Sequence, residues 1–120
     1  MEKKIKEVVD RLIEMTSEGS LEWQLINTVN SYKLELDAAT VVIFYLEYDD
    51  LTKKYKVYGL NMFNGTGKPI ELVVIGFTDN RADYQLLERL FMLAKDSAQK
   101  KQSTIELILK ELDEKTKLPF

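Results

Sequence analysis

Glu47 and Asp49 stand two residues apart in "FYLEYDD", and Asp50 follows at once. In an extended chain residues i and i+2 share a face, so the two carboxylates would point the same way. Such a pair can hold a divalent cation through oxygen ligands or divide the roles of acid and base. Lys53 and Lys54 come directly after, and acids mixed with lysines at a strand end are also ordinary solvated turn chemistry. The turn is the preferred reading. The second stretch with a chemical look is "NGTGKP", Asn64 to Pro69. A phosphate-binding loop of the form G-x-x-x-x-G-K-[ST] must lead from a strand into a helix whose N-terminus faces the phosphates. Counting back from Gly67 and Lys68, the first glycine position holds Met62, and the hydroxyl position holds Pro69. The residues that follow, "IELVVIGF", read as a strand. The stretch is therefore expected to be a hairpin turn, with Asn64-Gly65 supplying positive φ and Gly67 giving a longer, bulged loop the same freedom.

The aromatic residues are the third candidate. Trp23, Tyr32, Tyr45, Tyr48, Tyr55 and Tyr58 concentrate in the part of the chain that reads as sheet. Tyrosine and tryptophan can stack a base or line a ligand pocket, and they also pack well in strands. If a ligand site exists, Trp23, Tyr45 and Tyr58 are its first candidates, with Lys54, Lys56 or Arg81 beside them. A nucleotide-like small molecule is the ligand class that such residues suit.

Composition closes off other chemistry. The 120 residues include no Cys and no His. Disulfides, thiolate metal sites and Ser–His or Cys–His nucleophile pairs are excluded. The net charge of -3 argues against a dedicated nucleic-acid surface, which is usually strongly basic. Charges interrupt "MEKKIKEVVDRLIEM" throughout, which speaks against a signal peptide. No stretch approaches the roughly 20 apolar residues of a membrane span. A cytoplasmic protein without membrane partners is expected, with no catalytic set, no metal site and no cofactor assigned.

The elements that would position these residues are legible from periodicity. Ile5, Val8, Val9, Leu12, Ile13 and Thr16 recur at helical spacing over about residues 3–18, and Gly19 sits where a left-handed cap would go. "SLEWQLINTVN" fits either a strand or a short helix, and an extended segment is preferred. "YKLELD" alternates. "TVVIFYLEY" is apolar on both faces and reads as a central strand. "YKVYGLNMF" and "IELVVIGF" complete a set of strands joined by short linkers, as in an antiparallel meander. Asp79 or Asn80 can cap a helix over about 81–100, with its main stripe at Leu87, Leu90, Phe91, Ala94 and Ala98. Ser103 and Glu106 have capping-box spacing, so a further helix is expected there, with Ile105, Ile108, Leu109 and Leu112 on one face. Residues 1–120 read as a single α+β domain: an N-terminal helix, a four- to five-stranded antiparallel meander, and two C-terminal helices on one sheet face.

Gly19-Ser20-Leu21-Glu22-Trp23 after the first helix matches G-x-[IL]-x-W, and Leu87, Leu90, Leu93 and Ala94 match L-x-x-L-x-x-L-A. With the sheet between them, these motifs resemble a loosely defined group of small bacterial and phage helix–sheet–helix proteins that often occur near defence genes. The longer central strands depart from that pattern. The resemblance implies a role in defence or counter-defence and carries no catalytic residue. The helix over 81–100 has more apolar surface than one sheet face needs, at Leu86 and Leu93 in particular. Leu118 and Phe120 extend past the last stripe. These four are the candidate interface residues of a homodimer. The function expected is that of a non-catalytic interaction protein, homo-oligomeric and binding another protein. The alternative is a small-ligand binder such as a sponge for a nucleotide signal. A carboxylate-and-metal enzyme ranks third.

Overall fold

The first helix forms where apolar residues recur at helical spacing. α1 (Lys3–Ser17) buries Val9, Leu12, Ile13 and Thr16 and turns its charged faces outward. It ends at Gly19, whose φ of +80° few other residues would adopt. The Gly19 N–H donates to the Thr16 carbonyl at 3.1 Å and the Ser20 N–H to the Met15 carbonyl at 2.9 Å, the bond pair of a Schellman end. The computed structural model describes residues 1–26, 30–49, 51 and 53–116.

Five strands follow: β1 (Gln24–Leu25), β2 (Ser31–Glu35), β3 (Ala39–Asp49), β4 (Lys54–Asn64) and β5 (Pro69–Gly76). They form one sheet in the order β1-β2-β3-β4-β5, each neighbour pair antiparallel. This is the expected meander, and it follows from linkers too short for crossovers. The preferred extended reading of residues 21–30 holds at Gln24 and Leu25, while residues 27–29 lie outside the described residues.

Two details of the sequence reading are corrected. The turn between β4 and β5 does not place positive φ at Asn64 or Gly65; Gly67 carries it, at +84°. The loop is longer than a two-residue turn and is closed by the Asn64 side chain. Asn64 Oδ1 accepts from the backbone N–H of Thr66 at 3.0 Å and of Lys68 at 2.9 Å, and from the Thr66 hydroxyl at 2.7 Å. A register shift between Met62 and Phe63 accompanies it. The second correction is larger. There are not two C-terminal helices but one, α2 (Arg81–Thr116), 36 residues long. Asn80 caps it, its Oδ1 accepting from the Asp83 N–H at 3.1 Å. Ser103 and Glu106 lie inside it, since no Gly or Pro interrupts residues 81–116 and nothing forces the backbone out of helical φ/ψ. Thr104 bonds back to the Lys100 carbonyl at 3.0 Å, the way a hydroxyl is accommodated within a helix.

The core lies between one face of the sheet and the helices. Tyr32, Leu34, Val41, Ile43, Leu60 and Met62 meet Leu87, Leu90, Phe91 and Ala94, all of them buried. Met1 closes the start of α2 from the side: its α-amino group lies 2.6 Å from Asp83 Oδ2. Trp23 locks α1, α2 and the first strand together. It is fully buried. Its indole Nε1 donates to Thr16 Oγ1 at 3.0 Å, and its backbone N–H donates to Ser97 Oγ at 3.0 Å. No buried side-chain nitrogen or oxygen among the described residues lacks a partner.

Truncating a buried aromatic costs about 3–5 kcal/mol, so Trp23→Ala is expected to unfold at much lower guanidinium than wild type. Thr16→Val keeps the volume but strands the indole N–H, which costs about 1–3 kcal/mol. A Trp23→Ala variant with wild-type stability would show that the junction does not hold the helices together.

Candidate functional site

The β3–β4 register decides which candidate residues meet. Tyr45 lies opposite Tyr58, Glu47 opposite Lys56 and Asp49 opposite Lys54. All six are on the sheet face that α2 crosses, at the end of the hairpin where the helix cover runs out. The Tyr45 and Tyr58 rings are 4.9 Å apart. From them an aromatic row runs both ways. Tyr58 meets Tyr84 of α2 at 5.1 Å, and Tyr84 meets Phe77 at 5.4 Å. Toward the interior, Tyr58 meets Phe91 at 5.4 Å and Phe91 meets Tyr32 at 5.5 Å. The Arg81 guanidinium stands 6.0 Å over the Phe77 ring, at the far end of this row.

Glu47 is the polar centre. Its carboxylate accepts from the Tyr45 hydroxyl at 2.7 Å and pairs with Lys54 at 3.3 Å and Lys56 at 4.0 Å. The Tyr45 hydrogen bond holds its carboxyl below the usual range; partial burial opposes this and Lys54 assists it. Burial pushes the Tyr45 phenol upward, with the Glu47 hydrogen bond adding to it. Burial also pushes Tyr58 up to about 12, with Glu88 and Tyr84 contributing, and raises Tyr84. The group therefore presents neutral phenols and a fixed carboxylate near pH 7. Neither is poised to transfer a proton at that pH, and the arrangement suits stacking and hydrogen bonding. Beside it opens a depression of about 620 Å³, lined by Asn30, Tyr45, Glu47, Tyr58, Phe91 and Lys95.

The structure thus brings Tyr45, Tyr58 and Lys56 together and separates the other two ligand candidates. Trp23 is enclosed, with both of its N–H groups engaged, and offers no face to a ligand. Arg81 joins only through the aromatic row. Tyr84, Phe77 and Lys95 were not among the candidates; Tyr84 and Phe91, seven apart on one helix face, were the available signal. Glu47 and Asp49 share a face as expected, but Lys54 and Lys56 engage Glu47. Asp50 lies outside the described residues, among which no group of three or more acids gathers where a metal ion could be held. Among the interface candidates, Leu86 and Leu93 are partly buried and pack against the core, while Leu118 and Phe120 lie outside the described residues.

A larger feature lies on the opposite face of the sheet. Val42, Phe44 and Leu46 of β3 and Leu72 and Val74 of β5 point away from the helices. Leu46, Ile70, Leu72 and Val74 are each at least half exposed. The Phe44 ring lies across Gly59, so closely that a Cβ there would overlap it. α2 also runs on past the body: every described residue from Gln99 onward is exposed, and Ile105, Ile108, Leu109 and Leu112 make an uncovered stripe. No helix among the described residues is long and apolar enough to cross a membrane. No family model, curated protein or solved structure matches the chain.

The raised tyrosine pKa values give a test with a definite sign. Unfolded tyrosine ionises near pH 10, and folded Tyr58 holds its proton to about 12. Between these values the unfolded chain binds fewer protons, so stability falls as pH rises from 10. Guanidinium unfolding at pH 9 and pH 11 is expected to show a smaller loss for Tyr58→Phe than for wild type. Equal losses would mean that Tyr58 titrates as freely in the fold as out of it.

Proposed function

We propose that this chain is a non-catalytic interaction protein that acts as a homo-oligomer and binds another protein. The observation that carries this reading is the uncovered apolar surface on two separate elements, the outer sheet face and the second half of α2. Contiguous apolar patches on a folded chain mark association surfaces, and an 18-residue helix in water has little stability of its own without a partner for its apolar stripe. The resemblance of Gly19–Trp23 and of the Leu87–Ala94 stripe to small bacterial and phage proteins is what suggests a setting in defence or counter-defence for this association. A second reading, a small-ligand binder stacking a nucleotide-like base, is favoured by the open depression beside Tyr45 and Tyr58. Calorimetric titration with adenine and guanine nucleotides tests it, since micromolar binding should vanish in Tyr45→Ala.

Light scattering at tens of micromolar is expected to give a multiple of the chain mass. Ile108→Lys with Leu112→Lys should yield a monomer with unchanged circular dichroism from the body, because neither side chain belongs to the core. A wild-type monomer would refute the reading.

A further inference from the structure

The two uncovered surfaces fit each other. Leu87, Leu90, Phe91 and Ala94 are the residues with which α2 grips its own sheet. Ile105, Ile108, Leu109 and Leu112 lie eighteen residues after each of them in turn. Eighteen residues are five turns, so the second set lies on the same helix face, about 27 Å further on. The helix therefore presents its sheet-packing stripe twice, once over its own sheet and once beyond it.

The direction of travel says where the second set arrives. Tyr84 packs on Tyr58 of β4, Phe91 on Tyr45 of β3 and Tyr32 of β2, and Ser97 on the backbone of Leu21 and Trp23 just before β1. α2 thus crosses the sheet from its β5 side and leaves over the β1 edge. Being continuous, it cannot return to cover the outer face of its own sheet.

We infer that the second half of α2 packs on the outer sheet face of a second copy of the chain, and that the exchange is reciprocal about a two-fold axis at the β1 edges. This rests on the homo-oligomer reading above and names its surfaces. A two-fold axis running along the β1 edges sets the two sheets side by side and inverts one of them. The downward stripe of each helix then meets an upturned outer face. The polarity runs in step along the path. Gln99 to Thr104, a polar stretch, passes first over β1 and β2, whose outward residues are Gln24, Ser31, Lys33 and Glu35. Ile105 lies roughly 12 Å beyond Ser97 and Leu112 roughly 22 Å beyond it. With strands about 4.8 Å apart, that interval falls over the middle and far strands, where the outward residues include Val42, Phe44, Leu46, Leu72 and Val74, with Asn61 of β4 between Val42 and Leu72. Phe44, whose ring occupies the space a Cβ at Gly59 would need, puts an aromatic side chain near the centre of this surface.

The area also suffices. Half-exposed side chains of these two surfaces keep roughly 50 Å² each to bury, and the two-fold meets the set twice, giving on the order of 1,000 Å² of apolar surface. Apolar atoms make up somewhat over half of an interface, so the total reaches the ~1,600 Å² of a stable specific complex.

The chain contains no cysteine, so introduced pairs report cleanly. Leu109→Cys is combined in three double variants with Val42→Cys, Leu46→Cys or Leu72→Cys, which allows for a shift in register. Each is oxidised and run without reductant, with the single variants alongside and the wild-type mass measured by light scattering. At least one double variant should become a covalent dimer while the single variants stay uncrosslinked. Leu109→Cys crosslinking to itself would mean that the helices pair with each other, and Val42→Cys crosslinking to itself would mean that the sheets stack face to face. Either result overturns the exchange and leaves the homo-oligomer reading standing. So does an oligomer in which none of the double variants crosslinks. A wild-type monomer overturns both.

Discussion

A β-sheet must cover its apolar side chains on every face that carries them. This sheet carries them on both faces and has helices for one. β3 and β4 hold Val41, Ile43, Leu60 and Met62 in the core beneath α2, on which α1 packs in turn, and β3 and β5 hold Val42, Phe44, Leu72 and Val74 on the reverse. Trp23 anchors both helices on the inner side, through Thr16 in α1 and Ser97 in α2. The covered face is thereby closed to any further element of the chain, and the uncovered one is left for something else.

Much of this architecture can be read from the residues. Gly19 announces the end of α1 because the Schellman turn needs its positive φ, and short polar linkers announce the meander. The strand "TVVIFYLEY" was expected to be central because it is apolar on both faces, and it is central. That reading did not reveal that burial would be one-sided, since period-2 alternation gives the faces and not the number of layers above them. The single α2 was missed for a related reason. Ser103 and Glu106 have the spacing of a capping box, but a capping box acts only where the chain already leaves helical geometry. With no Gly or Pro nearby, a hydroxyl that bonds back within the helix, as Thr104 does, is the lower-energy outcome.

The candidate site was legible as residue types and not as a constellation. Tyr45, Tyr58 and Lys56 meet because the β3–β4 hairpin sets 45 opposite 58 and 47 opposite 56. That register depends on how the chain passes from Asp49 to Lys54, which composition does not fix. Once it is set, Glu47 is drawn to two lysines and a phenol and ceases to be a free acid. The pairing that makes the site orderly also removes the proton-transfer chemistry that the bare spacing of Glu47 and Asp49 suggested.

The continuity of α2 links the packing of the core to the facing of the helix's exposed second half. A helix that ended near Ala98 would complete the inner core and leave nothing to reach another copy. A break after Ala98 would let the second segment choose its own direction. An unbroken helix does neither: the face that Leu87, Leu90, Phe91 and Ala94 fix against the sheet also fixes, five turns later, the facing of Ile105, Ile108, Leu109 and Leu112. Backbone hydrogen bonds hold that phase relation rigidly over the intervening turns. The core therefore determines the angle at which the exposed stripe is held, with no hinge between the two. A stripe held in this way would lose little backbone freedom on being covered, which would lower the cost of the proposed assembly.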